Sequence, residues 1–211
     1  MRSLATKFLI ISSLGVGLQS CKSYEPIADA KKEMVVKEIA NPYFANPALD
    51  YVYKAQIDVY GNALSGLLVV KKTAEDTHRV VMTTDFGNKL MDFTITAEEV
   101  LMNYVVEDLN RKMILNILTN DLRLLVKEKH QTLAEYQKGN ETVSQVKQQS
   151  RSNYFFFDIK ENKLLKLVQS SKRKAKFSIV FDAKNTNFSE QITIEHYNFD
   201  IKIDLKQIIK E

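Results

Sequence analysis

Short runs that alternate between apolar and polar residues fill most of the chain from residue 51 onward. Such alternation, interrupted by turn residues, is typical of antiparallel β-strands with one face in a core and the other in water. The clearest run is the last, whose apolar positions are Phe199, Ile201, Ile203 and Leu205. The pattern predicts ten strands, at residues 51–60, 64–72, 78–85, 89–96, 100–106, 154–160, 163–169, 175–183, 189–197 and 199–206.

The periodicity becomes helical after Glu107. At about 100° per residue, the polar positions of the segment 109–125 form one narrow stripe at Lys112, Asn116, Thr119 and Arg123. An ordinary surface helix is apolar over little more than 100° of its circumference, whereas this one is apolar over most of it. The pattern predicts a helix that lies between two layers or offers apolar surface to a ligand. A break at Asn120 and Asp121, giving two short helices, is the alternative.

Two segments lack a clear period. Residues 22–50 hold all three prolines around a charged stretch, and we predict a tether there. Residues 132–152 are polar and contain Gly139, which predicts an exposed, mobile loop.

The order of elements predicts an α+β fold, in which a strongly curved antiparallel sheet wraps around one or two helices. This sheet would be an open, unclosed β-barrel of about ten strands.

The N-terminus has the features of a secretory signal. Arg2 and Lys7 precede an apolar stretch that ends in small residues, and this stretch is shorter than the roughly 20 residues of a membrane span. Residues 18–21, Leu-Gln-Ser-Cys, resemble a bacterial lipobox, in which cleavage before the cysteine leaves it acylated. We therefore predict a lipoprotein signal peptide over residues 1–20 and a lipid anchor, including palmitate, at Cys21.

Cys21 is the chain's single cysteine, so no internal disulfide can form. A free or buried thiol is the alternative to acylation. Lys22 follows it, where the resemblance to bacterial lipoproteins associates an aspartate with retention at the inner membrane. We therefore expect an outer-membrane lipoprotein that is held by acylated Cys21, with its domain facing the periplasm.

The net charge bears on whether the protein binds nucleic acid. Without Arg2 and Lys7 the formal net charge falls from +4 to +2, and this balance argues against nucleic acid as a partner. Residues 51–211 are enough for one domain with its own core, which we expect to be a monomer.

This order of elements resembles the LolA/LolB-like superfamily of lipoprotein carriers and receptors. The resemblance spans residues 51–208, and the segments 64–72, 79–87 and 192–205 look like small lipoproteins of Bacteroidetes-type bacteria. It implies a LolA/LolB-like open β-barrel domain over residues 51–211, with a hydrophobic cavity between sheet and helix. It also implies a lipid or lipoprotein acyl chain as ligand and a role in envelope traffic. In such a protein we expect the loop 132–152 to move and admit the ligand.

The cavity that this resemblance implies needs apolar lining residues. Residues 154–157, Tyr-Phe-Phe-Phe, break the alternation, so both faces of that strand are apolar and one could face a pocket. The predicted ligand-cavity residues are Met91, Phe93, Met113, Ile117, Leu118, Phe155 and Phe157. Plain core burial is the alternative for each of them.

Two groups of charged residues are further candidates. A basic turn could contact anionic lipid headgroups, through Lys172, Arg173, Lys174 and Lys176. A solvated turn is the alternative. Arg79, if it points into the cavity, needs a partner such as Asp92 or Glu107, because an unpaired buried charge is costly.

Catalysis finds little support in the sequence. The three histidines, His78, His130 and His196, are far apart and lack metal-ligand spacing, and no nucleophile or nucleotide-binding motif is present. We expect no catalytic residue, no metal and no cofactor. The rival to a lipid-binding protein is a scaffold lipoprotein that docks on another envelope protein, through strand addition or the basic turn.

Overall fold

The computed structural model describes residues 24–171 and 174–208. The predicted signal peptide, Cys21, Lys172 and Arg173 lie outside this part. The described residues form a 3-10 helix (Glu107–Leu109), one α-helix, α1 (Lys112–Val126), and fifteen strands. The strands are β1 (Lys31–Glu33), β2 (Glu38–Ala40), β3 (Asp50–Val59), β4 (Asn62–Ala74), β5 (Thr77–Thr83), β6 (Lys89–Ile95), β7 (Val100–Val105), β8 (Lys129–Gln131), β9 (Ala134–Lys138), β10 (Glu141–Gln148), β11 (Arg151–Asp158), β12 (Lys163–Ser171), β13 (Lys174–Asp182), β14 (Gln191–His196) and β15 (Ile201–Gln207).

Thirteen strands form one antiparallel sheet, in the order β1-β9-β10-β11-β12-β13-β14-β15-β3-β4-β5-β6-β7. β15 pairs with β3, so the C-terminal strands join the first long hairpin in the middle of the sheet. The end strands β1 and β7 do not pair with each other, and the curled sheet stays unclosed. β2 and β8 form a separate two-stranded sheet. The predicted open, antiparallel architecture is confirmed, but the predicted number of about ten strands was too low.

The predicted loop 132–152 is instead part of the sheet. It contains β9 and β10, which pair with each other as a hairpin. Their pairing runs from Lys138 and Glu141 at the turn to Ala134 and Gln145. Its alternation is hidden because two opposed polar residues are buried on one side: Ser144 Oγ donates to Glu135 Oε1 at 2.9 Å. Lys37 Nζ lies 2.8 Å from the same carboxylate oxygen, so the buried charge is paired.

The predicted tether is also partly packed. β1 pairs with β9 and β2 pairs with β8, both about a hundred residues further along the chain. Tyr43 and Phe44 are fully buried in the main core, so the packed part of the chain begins before residue 51. Local pattern could not show this, because such short strands obtain their hydrogen bonds from distant partners.

The main core lies between α1 and the inner face of the sheet. Leu118, Leu122 and Leu125 of α1 share one apolar cluster with residues from many strands, including Phe93 and Ile194. The helix is continuous through Asn120 and Asp121, so the alternative of two short helices is wrong. An apolar surface over most of the helix is explained by a sheet that wraps around it.

A second, smaller core explains the aromatic residues of β11. Phe155 belongs to the main core, whereas Tyr154 and Phe156 pack with Tyr136, Val143 and Val168 in a separate cluster. Tyr24 and Ile27 pack against this cluster, and the rings of Tyr24 and Tyr154 lie 5.2 Å apart. Both faces of this strand are therefore covered, as the interrupted alternation predicted.

His130 makes the stability of the fold pH-dependent. Its ring is buried, 4.4 Å from the ring of Phe155, and its Nε2 lies 3.1 Å from the carbonyl oxygen of Lys127. Burial lowers the pKa of His130 from 6.5 to about 4, so below pH 6.5 the unfolded chain takes up a proton that the folded chain does not. Stability is thus lost as the pH falls from 6.5 towards 4.

We expect the free energy of unfolding to fall by about 2 kcal/mol from this group between pH 7 and pH 5. Urea unfolding at both pH values, for the wild-type chain and for His130→Gln, measures the contribution. The pKa of His78 is also lowered by burial, so the variant should keep a smaller slope. An identical slope for both proteins would contradict the assignment.

Candidate functional site

An apolar cavity of about 580 Å³ lies between the β3–β4 hairpin and the N-terminal half of α1. Its walls come from the hairpin, the first residues of β6, the segment after β7 and the helix. The lining residues are Ile57, Val59, Tyr60, Asn62, Ala63, Leu64, Leu90, Val106, Asp108, Leu109, Arg111, Met113, Ile114 and Leu118. Eleven of these fourteen are apolar, so the cavity suits an apolar ligand.

The cavity has a buried floor and an exposed mouth. Ile57, Leu90 and Leu118 are buried, whereas the side chains of Tyr60 and Met113 are about half exposed. Three polar side chains also line it, at Asn62, Asp108 and Arg111. This arrangement can hold an alkyl chain inside while a polar end of the same molecule stays in contact with water.

Local sequence positions the helical wall of the cavity. Arg111 is extended, with φ −108° and ψ 123°, and α1 starts immediately after it. Ile114 and Leu118 are one helical turn apart and therefore lie on the same face, which turns towards the cavity. The hairpin wall is set by a tight turn at Tyr60 and Gly61, both with positive φ.

The structure brings two of the seven predicted cavity residues to this site, Met113 and Leu118. Ile117 is half-buried on α1 and does not line the cavity. Met91, Phe93 and Phe155 are enclosed in the main core. Phe157 lines a different groove of about 560 Å³, formed with β2 and Glu135.

Most lining residues were not singled out by sequence reasoning. The hairpin residues Ile57, Val59 and Leu64 carry a signal, since their alternation identifies them as inner-face positions. Val106 lies just after β7 and Leu109 ends the short 3-10 helix, so neither has enough periodic neighbours for the pattern to assign its side chain to a face. Alternation shows which side of a strand is covered, but it does not distinguish a packed position from one beside a void.

A buried hydrogen bond between an aspartate and a histidine joins the helix to the sheet. Asp121 Oδ2 lies 2.7 Å from His196 Nε2 of β14, and both side chains are almost fully enclosed. Burial raises the pKa of Asp121, and the hydrogen bond from His196 opposes this effect. The ring of Phe177 stacks on His196 at 4.9 Å. The pair fixes the position of α1 beyond the cavity, and no sequence pattern predicted that these two residues meet.

Arg79 does not point into the cavity. It alternates with His78 and Val80, which are buried on the inner face, so it lies on the outer face. Its Nε and Nη2 donate to the two carboxylate oxygens of Asp92 at 3.1 and 2.8 Å. These bonds hold the pKa of Asp92 well below its usual range. The predicted partner is confirmed, but the interaction stabilises the outer side of β5 and β6.

The described part of the predicted basic turn consists of Lys174 and Lys176. Lys174 is exposed and Lys176 half-buried, and neither lies within ion-pair distance of a described carboxylate.

Within residues 24–171 and 174–208, no three His, Cys, Asp or Glu side chains are grouped as a metal site requires. No helix in the described part is long and apolar enough to cross a membrane.

Comparison with known proteins identifies the fold. No protein-family model matches the chain, and no curated protein matches it. The structure is similar to a LolA superfamily protein from Nitrosomonas europaea, with a TM-score of 0.53 and 7% identity over 80% of this chain and 87% of that one. It also matches a DUF1329 family protein from Desulfovibrio piger, with a TM-score of 0.42 and 12% identity over 75% and 83% of the two chains.

The first of these similarities defines a class. The similarity covers most of both chains, so this chain, with its curled, unclosed antiparallel sheet around a helix, has a LolA-like fold. The resemblance drawn from the sequence is confirmed at the level of the fold.

Proposed function

We propose that this protein binds the acyl part of a lipid or lipoprotein and acts as a carrier-type protein in envelope lipid or lipoprotein traffic. The observation that carries this proposal is the cavity of about 580 Å³ with eleven apolar lining residues between sheet and helix. Its volume lies within the range of small-molecule sites, about 300–1,000 Å³. The LolA-like fold supports the same class of function.

Burial of alkyl chain would provide the binding energy. Ten methylenes at about 0.8 kcal/mol each contribute about 8 kcal/mol before the cost of ordering the ligand, which corresponds to micromolar or weaker affinity. Met113 at the mouth suits variable chains, because its side chain is flexible and polarisable. The protein would act by binding alone, without catalysis or a cofactor.

The proposal includes an anchor at Cys21. The sequence Leu-Gln-Ser-Cys before the domain supports acylation there, and the domain would then be held at the outer membrane and face the periplasm. Growth of expressing cells with labelled palmitate tests the anchor: label that persists after Cys21→Ser would contradict it.

Native mass spectrometry with lipid extraction tests ligand binding directly. The full chain, purified from a bacterial envelope in mild detergent, should carry lipid or acylated peptide, and Met113→Glu should reduce the bound fraction about fivefold or more. A carboxylate at the mouth opposes entry of an alkyl chain, because burying an unpaired charge is costly. Met113 is 46% exposed, so the substitution should leave the fold intact by circular dichroism.

Met102→Glu is the matched control. Met102 is 55% exposed on β7 and does not line the cavity, so this variant should keep its lipid. Equal loss in both variants would indicate a non-specific effect of charge. The proposal would be contradicted if the wild-type chain carried no lipid and also took up no added phospholipid.

One observation favours the alternative of a docking scaffold. β7 is an end strand of the sheet, and its Leu101, Met102 and Tyr104 side chains are exposed. An extended strand of another envelope protein could pair with such an edge. Photo-crosslinking from position 102 in cells tests this: a single crosslinked partner together with an empty cavity would favour the scaffold.

A further inference from the structure

A second pocket, of about 280 Å³, lies at the C-terminal end of α1, between the helix and strands β8, β10, β11 and β12. We call it the basic pocket. Its lining residues are Asn120, Arg123, Leu124, Lys127, Lys129, His130, Gln131, Val146, Lys147, Gln148, Asn153 and Gln169. It shares none of them with the apolar cavity. Met113 and Arg123 are ten residues apart on α1, which separates the two sites by about 15 Å along the helix.

The basic pocket has an excess of positive charge. Four of its lining residues are lysine or arginine, and none is acidic. Lys127, Lys129 and Lys147 have no carboxylate within ion-pair distance among the described residues. Arg123 Nη2 donates to the carbonyl oxygens of Ala97 and Glu98 at 2.6 and 2.7 Å, which fixes the guanidinium, and no carboxylate in the described part of the chain lies within ion-pair distance of it.

The wall of the basic pocket is an ordered chain of amides. Arg151 Nη1 donates to Gln169 Oε1 at 3.1 Å, and Gln169 Nε2 donates to Asn153 Oδ1 at 3.1 Å. Asn153 Nδ2 then donates to Gln148 Oε1 at 3.3 Å. Asn153 and Gln169 are only 1% and 3% exposed, so this chain is a built feature of the interior.

The direction of this chain decides what the pocket can bind. Each amide oxygen in it already accepts a hydrogen bond, and so does Asn120 Oδ1, which accepts from Arg151 Nη1 at 3.0 Å. The Gln131 amide can both donate and accept, and the other side-chain groups that remain for a ligand are N–H donors, namely the end amide of Gln148 and the three lysine ammonium groups. A wall that offers donors and positive charge selects an anion with several acceptor oxygens.

We propose that the basic pocket binds the phosphate group of a small phosphorylated molecule or of a phospholipid headgroup. Phosphate carries up to two negative charges and several strong acceptor oxygens, which match lysine ammonium groups and amide N–H donors. A pocket of about 280 Å³ leaves room for a short polyol beside the phosphate. The site is built from its own residues and does not depend on ligand binding in the apolar cavity.

Isothermal titration calorimetry tests the site and identifies the source of the phosphate. The full chain in an uncharged detergent is titrated with inorganic phosphate, glycerol 3-phosphate and glycerophosphoglycerol, which is the water-soluble headgroup of phosphatidylglycerol. The ionic strength is held at about 0.15 M to limit non-specific attraction. Tighter binding of the first two probes indicates a free phosphate or phosphomonoester, whereas tighter binding of the third indicates a phospholipid headgroup.

Two charge-matched double variants make the test specific. Lys129→Gln/Lys147→Gln removes two charges from the basic pocket and should weaken binding about tenfold or more. Lys160→Gln/Lys206→Gln removes two charges from exposed lysines elsewhere and should change it by less than about twofold. Circular dichroism checks the fold of both.

No binding of any probe by the wild-type chain would overturn the proposal, and so would equal weakening in the two double variants. Met113→Glu should leave phosphate binding unchanged. This comparison separates the two proposals, because the apolar cavity can fail its lipid test while the basic pocket still binds phosphate.

Discussion

Replacing Gly66 with alanine is expected to lower the free energy of unfolding by about 3 kcal/mol or more. Gly66 is buried in β4, opposite Ala55 of β3. A Cβ atom at this position would overlap the carbonyl oxygen of Thr83 and would lie 2.9 Å from the carbonyl carbon of that residue. These are backbone atoms of β5, beside the register shift between Met82 and Thr83 in its pairing with β6, so no side-chain rotation can relieve the overlap.

Urea unfolding of the purified chain, followed by circular dichroism, measures this loss. Ser65→Ala is the matched control, because Ser65 is the preceding residue of the same strand, is exposed, and should change stability by less than about 0.5 kcal/mol. Equal stability of Gly66→Ala and Ser65→Ala would show that β5 can move away from β4 at little cost. The alternation in β4 identifies a strand here, but the requirement for glycine comes from β5.

Replacing Asp121 with alanine is expected to cost about 3 kcal/mol of stability. The substitution removes the carboxylate that lies 2.7 Å from His196 Nε2 and leaves an enclosed imidazole without its partner. It also loosens the attachment of α1 to β14, at a point one turn beyond Leu118 of the apolar cavity. We therefore expect α1 to be less firmly seated in the variant.

A double-mutant cycle with Asp121→Ala and His196→Ala isolates the interaction. If the pair acts as a unit, the second substitution should cost at least about 1 kcal/mol less when the first is already present. Urea unfolding at pH 7 supplies the four free energies. Strict additivity would show that the two side chains contribute independently, and would assign the cost to lost packing alone.

Much of the sheet could be predicted because the relevant physics is local. A strand with one covered face shows a two-residue period, and the predicted segments 89–96 and 175–183 correspond to β6 (Lys89–Ile95) and β13 (Lys174–Asp182). The helix was predictable for the same kind of reason. Its narrow polar stripe indicated that another layer or a ligand covers most of it, and the curled sheet packs against it.

The prediction failed where burial did not follow hydrophobicity. Glu135 and Ser144 are buried polar residues, so β9 and β10 looked like a loop. β1 and β2 form only because they hydrogen-bond to distant strands, β1 to β9 and β2 to β8. In both cases a distant partner supplies the stabilising interaction, and a local pattern carries no record of it.

The sequence by itself determined ten of the fifteen described strands, the apolar helical segment and the sign of the charges along the chain. Only the tertiary structure decided where those elements leave space. Met113 and Leu118 border a void while Met91 and Phe93 are packed, although all four are apolar and were predicted alike. The basic pocket likewise gathers residues from positions 120 to 169. Cavities depend on how the helix sits in the curled sheet, and long-range strand pairing sets that position.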